Sequence, residues 1–333
     1  MAPRALPARF RRPRLLIVGC GDVGLRVARQ LGGRLQLRAL TSQPGRADEL
    51  RALGITPLIG NLDQPASLRR LAGLAQRVLH LAPPPGQGAT DPRTRALLTA
   101  LSARPQPWTA TCAPSITYAS TSGVYGDAQG ARFDETRPVR PANPRAWRRV
   151  DAEQQLRRWA LRGASGGFGG GSSFGGGGGG CRRITILRIP DIYALDRAGG
   201  DPRDRLRRGA PVLRAEDDVY TNHIHADDLA RACIAALWRG RPQRVAHVCD
   251  HSELRMGDYF DLVADLHGFA RPARISFEQA KRELGPMQLS FMSESRRLDN
   301  HRLVAELRVA LRYADVRDGL VAGLPTHLAI TTG

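Results

Sequence analysis

Residues 15–24 read LLIVGCGDVG, a short apolar run that breaks into glycines and then into a helix-like segment. Four consecutive apolar residues bounded by turn formers predict a strand buried on both faces, as in a parallel sheet. The spacing Gly19-x-Gly21-x-x-Gly24 gives each glycine its own task. Gly19 permits the tight turn, Gly21 lets a pyrophosphate approach the backbone, and Gly24 lets helix and strand pack closely. Cys20, Asp22 and Val23 complete the loop, and free N–H groups at the helix start face the phosphates. The expectation is a dinucleotide-binding loop.

Working outward, the pattern repeats. Strands are expected at 36–40, 56–59, 78–81 and 116–120, with helices at 22–31, 47–53, 66–72 and 93–103 between them. Strand–helix alternation of this size predicts an α/β fold, a doubly wound parallel Rossmann sheet. A helix near 145–161 is followed by a glycine-rich stretch, 163–181, whose composition predicts a flexible insertion. A strand at 183–189, a helix at 226–238 and a strand at 244–248 come next. The expected organisation is a basic tail (1–12), a Rossmann domain (13–250, with 190–225 partly a substrate region) and a smaller, mostly helical cap (251–330).

Composition narrows the partners. The net charge is +19, yet Lys281 is the only lysine among 50 basic residues. Arginine spread so evenly, with no zinc-finger spacing or RNA-binding aromatic signature, points to anionic small molecules and to no specific nucleic-acid partner. The lone lysine also excludes a GK[ST] phosphate loop. Five scattered cysteines form no CxxC pair and predict neither a disulfide framework nor a metal site. No apolar run is long enough to span a bilayer, so a cytoplasmic protein is expected.

The end of the second strand bears on the choice of cofactor. An NAD site usually has an acidic residue there to hold the ribose. Here Thr41, Ser42 and Arg46 stand with no carboxylate among residues 39–46, which favours NADP over NAD.

Three further stretches carry a resemblance. ASTSGVYGD (119–127), ILRIPDIY (186–193) and NHIHADDLA (222–230) resemble, in order, segments of the extended short-chain dehydrogenase/reductases, the NAD(P)-dependent epimerase/dehydratase group. The likeness spans roughly residues 13–320 and is strongest to atypical bacterial members with a GxGxxG loop. It implies that Thr121 is the catalytic hydroxyl, flanked by Ser120 and Ser122. Leu81, Ala82 and Pro83 would line the cofactor after the fourth strand, and Pro190 and Ile192 after the sixth. Asp191, in place of a frequent glycine, and Ala194–Asp196 depart from the pattern at the substrate mouth. His223 and His225 tempt a metal reading, but no ligand cluster accompanies them. Asp227 or Asp228 is expected to cap the following helix.

The largest departure lies at NPRAWRRVDAE (143–153). The resemblance implies Tyr-x-x-x-Lys on this helix, with the lysine lowering the tyrosine pKa for proton exchange. Anchored on Ala152-Glu153, the two positions hold Arg145 and Arg149. Arg149 can hold a ribose or phosphate, or join Arg145, Glu153 and Arg157 in a solvated charge ladder, the reading favoured for Arg145. A guanidinium cannot replace a phenol as an acid. Two readings follow: an oxidoreductase or epimerase/dehydratase acting on a carbonyl, hydroxyl or sugar-nucleotide substrate with a displaced acid (Tyr125 or Tyr193), or an NADP(H)-binding sensor without turnover.

Overall fold

The computed structural model describes residues 12–103, 115–165 and 182–322. Most of the basic tail, most of the glycine-rich stretch and the last residues of the cap lie outside the described residues.

Strand β1 (Arg14–Val18) is fully buried from Leu15 onward, which is why its sequence is a continuous apolar run rather than an alternating one. Burying such a side chain contributes about 2 kcal/mol. It pairs in parallel with β2 (Gln36–Thr41) on one side and β4 (Arg77–His80) on the other; Val18 lies opposite both Leu40 and His80. With β3 (Ile55–Ile59), β5 (Ser115–Thr121), β6 (Arg183–Ile189) and β7 (Arg244–His247) they form a seven-stranded parallel sheet of order β7-β6-β5-β4-β1-β2-β3. The order reverses between β1 and β4, so the carboxyl ends of these two strands open the crevice where such folds bind ligands.

The helices α1 (Asp22–Leu31), α2 (Ala47–Ala52), α3 (Pro92–Ser102) and α4 (Pro144–Ser165) connect these strands. Gly32 ends α1 at φ +52, a left-handed conformation that costs glycine nothing, and its N–H reaches the Ala28 carbonyl. Asp91 starts α3 by accepting from the amides of Arg93 and Thr94. The helix expected at 66–72 is instead a 3₁₀ segment, Pro65–Leu71, a geometry suited to a short connection that starts on proline.

Helices α5 (Arg203–Arg207), α6 (Ala226–Arg239), α7 (Met256–His267), α8 (Phe277–Glu283), α9 (Pro286–Met292) and α10 (Val316–Val321) complete the chain. The described part of the cap region is mostly helical, but three short strands interrupt it; Leu254–Arg255 pairs with Tyr220–Thr221. Arg274–Ile275 pairs with Val212–Leu213, and Arg297–Leu298 with Arg132–Phe133.

The chain divides into two compact units. One unit comprises Met1–Ala119, Arg148–Ile186 and Cys233–Arg244; the other comprises Ser120–Trp147, Leu187–Ala232 and Val245–Gly333. Chain leaving β5 and β6 therefore packs with later residues instead of staying with the first unit. The second unit has its own core, built on Tyr193, Val212, Leu213, Tyr259, Val263 and Val316.

Candidate functional site

In the first unit, the Val18 carbonyl accepts from the amides of both Leu81 and Ala82, at 2.8 and 2.9 Å. That pair draws the chain after β4 against the glycine loop. Gly19, at φ +84, lies so close that a Cβ would sit 2.5 Å from the Ala82 nitrogen. Gly24 packs on β1, where a Cβ would meet Cys20 Sγ at 3.2 Å and Ile17 Cγ2 at 3.3 Å. Gly21 is different: a Cβ there would meet nothing within 4 Å. It precedes α1 in extended conformation and provides no side-chain cap, leaving the helix start to external partners. Asp22 pairs with Arg26 at 3.0 Å, and Val23 is half-buried. Burial pushes the Cys20 thiol up to about 11, so it is an inert filler beside the loop.

At the end of β2, Thr41 is buried and its hydroxyl accepts from the Gln43 amide at 3.2 Å, while Ser42 is exposed. Arg46 reaches the loop itself, donating to the Cys20 carbonyl at 2.8 Å. Its Nε and Nη2 also donate to Glu49, at 3.0 and 3.2 Å. The pairing raises the arginine pKa and lowers that of the carboxyl group. Glu49 is a residue the sequence reading missed. Its spacing of three from Arg46, across the start of α2, was the signal available. Pro83 accepts at its carbonyl from Arg93, which is also held by Asp63.

Arg149 does not belong to a solvated ladder. Its Nη1 donates to the Ala119 carbonyl at 2.6 Å and to the Tyr118 hydroxyl at 3.1 Å, and Glu153 is only 3% exposed. Glu153 is therefore buried and Arg149 half-buried, where the ladder expectation placed both in water. Burial pushes the Tyr118 phenol up to about 12. Buried His80 falls to about 3, through desolvation and then the Arg149 charge. Its Nε2 lies 3.0 Å from the Thr94 hydroxyl, which donates to Asp91.

The second unit contains a cavity of about 440 Å³. Thr121 and Ser122, from the end of β5, line it with Arg145 from the first turn of α4 and with Pro190 and Asp191 after β6. The Thr121 hydroxyl accepts from the Gly123 amide at 3.2 Å, starting a 3₁₀ turn that fixes the strand end. Ser120 is buried, and Ile192 is half-buried with its carbonyl accepting from Arg197. Arg145 lies over the Phe291 ring at 5.3 Å and faces the cavity, a correction to the ladder expected for it. Glu294 and Arg296 also line the cavity and pair at 2.6 Å.

The two tyrosines expected as displaced acids do not line this cavity. Tyr125 is 1% exposed, with its oxygen 2.6 Å from His247 Nε2 and 2.7 Å from Arg188 Nη1. Tyr193 is equally buried, its phenol pKa raised by desolvation and its hydroxyl directed to the Val316 carbonyl. Both side chains extend from strand-end segments into packed interior. The phenols that do line the cavity are Tyr220 and Tyr259, which the sequence reading did not identify.

Asp227 and Asp228, the aspartates expected at the start of α6, lie in its first turn. His225 Nδ1 accepts from the Asp227 amide, while buried Asp228 accepts from the amides of Arg312 and Tyr313, at 2.9 and 2.8 Å. Among the described residues no group of three or more His, Cys, Asp or Glu is arranged to hold a metal ion. No helix among them is long and apolar enough to cross a membrane.

Comparison with known proteins places this geometry. No family model matches the chain, and none of the curated proteins matches it. Solved structures do. A functionally unknown conserved protein from Silicibacter pomeroyi is 28% identical, with a TM-score of 0.72 over 93% of this chain and 97% of that one. UDP-glucose 4-epimerase from Thermotoga maritima, solved with UDP-glucose, is 17% identical with a TM-score of 0.70 over 92% of this chain and 96% of that one. The chain has the fold of the UDP-sugar 4-epimerases. UDP-glucuronic acid 4-epimerase from Bacillus cereus, in complex with UDP-glucuronic acid and NAD, gives a TM-score of 0.66 at 16% identity, over 93% of this chain and 97% of that one. These neighbours agree with the epimerase/dehydratase resemblance carried by residues 119–127, 186–193 and 222–230.

Proposed function

We propose that the chain is a nicotinamide-dinucleotide-binding protein of the epimerase/dehydratase type, acting on a small sugar-nucleotide-like or carbonyl substrate in the second-unit cavity. One observation carries the reading: among the described residues nothing lies within 4 Å of a Cβ built at Gly21, at the start of α1, which has no side-chain cap. That is the cradle a pyrophosphate needs. Gly19–Gly24 would hold the pyrophosphate, with Leu81, Ala82 and Pro83 along its path. Thr41, Ser42 and Arg46 would meet the adenosine ribose, and Arg149 the nicotinamide half. The neighbouring epimerase from Bacillus cereus was solved with NAD, which supports the dinucleotide.

NADP is preferred over NAD because the exposed Ser42 hydroxyl and Arg46 offer donors to a 2′-phosphate. Glu49 opposes this, since it already holds the Arg46 guanidinium. When bound, the nicotinamide accepts or returns hydride. Thr121 would donate a hydrogen bond to the substrate oxygen, with its own geometry fixed by the Gly123 amide. Fluorescence titration with NADPH and NADH tests the proposal. Enhanced fluorescence, tighter for NADPH and lost in Gly21→Asp, is expected. No affinity for either nucleotide at millimolar concentration sinks it.

A second reading, an NADP(H) sensor without turnover, is favoured by a specific observation. Arg145 occupies the position implied for the phenol, and Tyr125 and Tyr193 are sealed in the interior. Consumption of NADPH with a carbonyl or sugar-nucleotide substrate, abolished by Thr121→Val, would exclude that reading.

A further inference from the structure

Arg149 stands where the resemblance implies a lysine, and that exchange creates a geometric demand. An ammonium is a compact charge whose donors rotate to suit a ligand. A guanidinium is a planar fork that serves a ligand only when its plane is held in the right orientation. Arg149 is half-buried on α4, with Glu153 one turn further along the same helix. An arginine and a glutamate at that spacing can pair and cancel each other's charge. No carboxylate among the described residues pairs with Arg149; both Nη1 protons go to the end of β5 instead.

The two acceptors that hold it are uncharged. Ala119 offers its carbonyl at 2.6 Å, and Tyr118 its hydroxyl oxygen at 3.1 Å. Tyr118 is wholly buried, and burial pushes its phenol up to about 12, so the group facing Arg149 is neutral at ordinary pH. The guanidinium carbon also lies 5.7 Å from the centre of the Tyr118 ring. His80, whose ring centre is 5.1 Å from that of Tyr118, is neutral as well. Two fixed acceptors on adjacent residues of one strand thus set the guanidinium plane without cancelling its charge. Nε and Nη2 are left without a hydrogen-bond partner among the described residues.

We infer that Tyr118 is a positioning residue for the dinucleotide: its hydroxyl fixes the plane of the Arg149 fork and leaves Nε and Nη2 to the bound nucleotide. The inference rests on the dinucleotide site proposed above and deepens it. Tyr118 touches no ligand itself and acts through Arg149. The phenol matters here because residue 149 is an arginine; a lysine would orient its own donors.

A double-mutant cycle tests this, with the NADPH affinity of the full chain read by fluorescence titration and folding checked by thermal unfolding. Tyr118→Phe should weaken NADPH about fivefold in the parent chain and cause no further loss in Arg149→Gln. Tyr125→Phe removes a buried phenol of the second unit and should leave the affinity unchanged. A phenol that served packing alone would weaken both backgrounds equally, so additive losses from Tyr118→Phe and Arg149→Gln overturn the inference. Unchanged affinity in Tyr118→Phe, or an equal loss in Tyr125→Phe, overturns it too. Should Tyr118→Phe not fold, Tyr118→Met repeats the cycle, since its flexible side chain fills irregular core gaps. A parent chain with no NADPH affinity removes the dinucleotide reading and this inference with it. Additivity in a chain that does bind NADPH removes this inference alone.

Discussion

The Tyr125 hydroxyl oxygen lies 2.6 Å from His247 Nε2, while Nδ1 of the same ring is 2.9 Å from the Asp299 carbonyl. The carbonyl takes the Nδ1 proton, so Nε2 accepts from the phenol, and Arg188 donates to the same oxygen. The Tyr125 hydroxyl thereby both donates and accepts inside the fold. Tyr125→Phe should lower stability by about 1–3 kcal/mol, because it leaves a buried imidazole and guanidinium short of a partner. It should leave NADPH affinity and any turnover rate unchanged. Urea unfolding with parallel fluorescence titration measures both; a large loss of turnover at full stability would restore the phenol as the acid.

Gly19 and Gly21 should respond oppositely to alanine. A Cβ at Gly19 meets the Ala82 backbone and must adopt φ +84, so Gly19→Ala should cost more than about 1 kcal/mol and also impair binding. Gly21→Ala meets nothing and should stay within about 0.5 kcal/mol of the parent while weakening the dinucleotide. Thermal unfolding with and without NADPH separates these outcomes.

Acid should weaken the fold. Burial holds His80 at about 3, and His223 and His247 at about 4, below an unfolded value near 6.5. Groups with depressed folded-state values stabilise fully above 6.5, and that contribution is lost as pH falls from 6.5 toward 4. The loss approaches about 1.4 kcal/mol per pH unit for each histidine. Asp250, raised well above its ordinary value by burial, acts in the opposite sense and offsets part of this. Unfolding free energy measured at pH 7 and pH 5 should fall; a flat or rising profile would remove the histidines as buried neutral groups.

Asp228 should be among the least tolerant positions of the second unit. It is fully buried and accepts two backbone amides from residues 312 and 313. Asp228→Ala strips both acceptors and should cost at least about 2 kcal/mol, with Asp228→Asn recovering part of it. Denaturant midpoints of the two variants decide the matter.

The parallel sheet was legible because its strands are short apolar runs separated by glycine and helix-forming segments. Leu15–Val18 and Arg183–Ile189 carry that signal without competition. The glycine loop was legible because backbone geometry is written directly into residue type. Side-chain direction was not. Arg145 and Arg149 sit one turn apart on one helix, yet one lines the cavity and the other reaches the end of β5. No spacing rule distinguishes them, since the difference comes from partners far away in the chain. Tyr259 and Arg205 were missed for the same reason: the cavity assembles from three separated segments, and only their packing brings these residues together.

The crowding at Gly19 has a consequence for how sequences like this one should be interpreted. Ala82 alone forbids a side chain there, and Ile17 with Cys20 restricts one at Gly24. Both glycines would therefore persist in a descendant that had abandoned its nucleotide, as relics kept by architecture. Gly21 has no such protector. It is free to drift once the ligand is gone, so its retention or loss across a lineage dates the function more faithfully than the complete motif does.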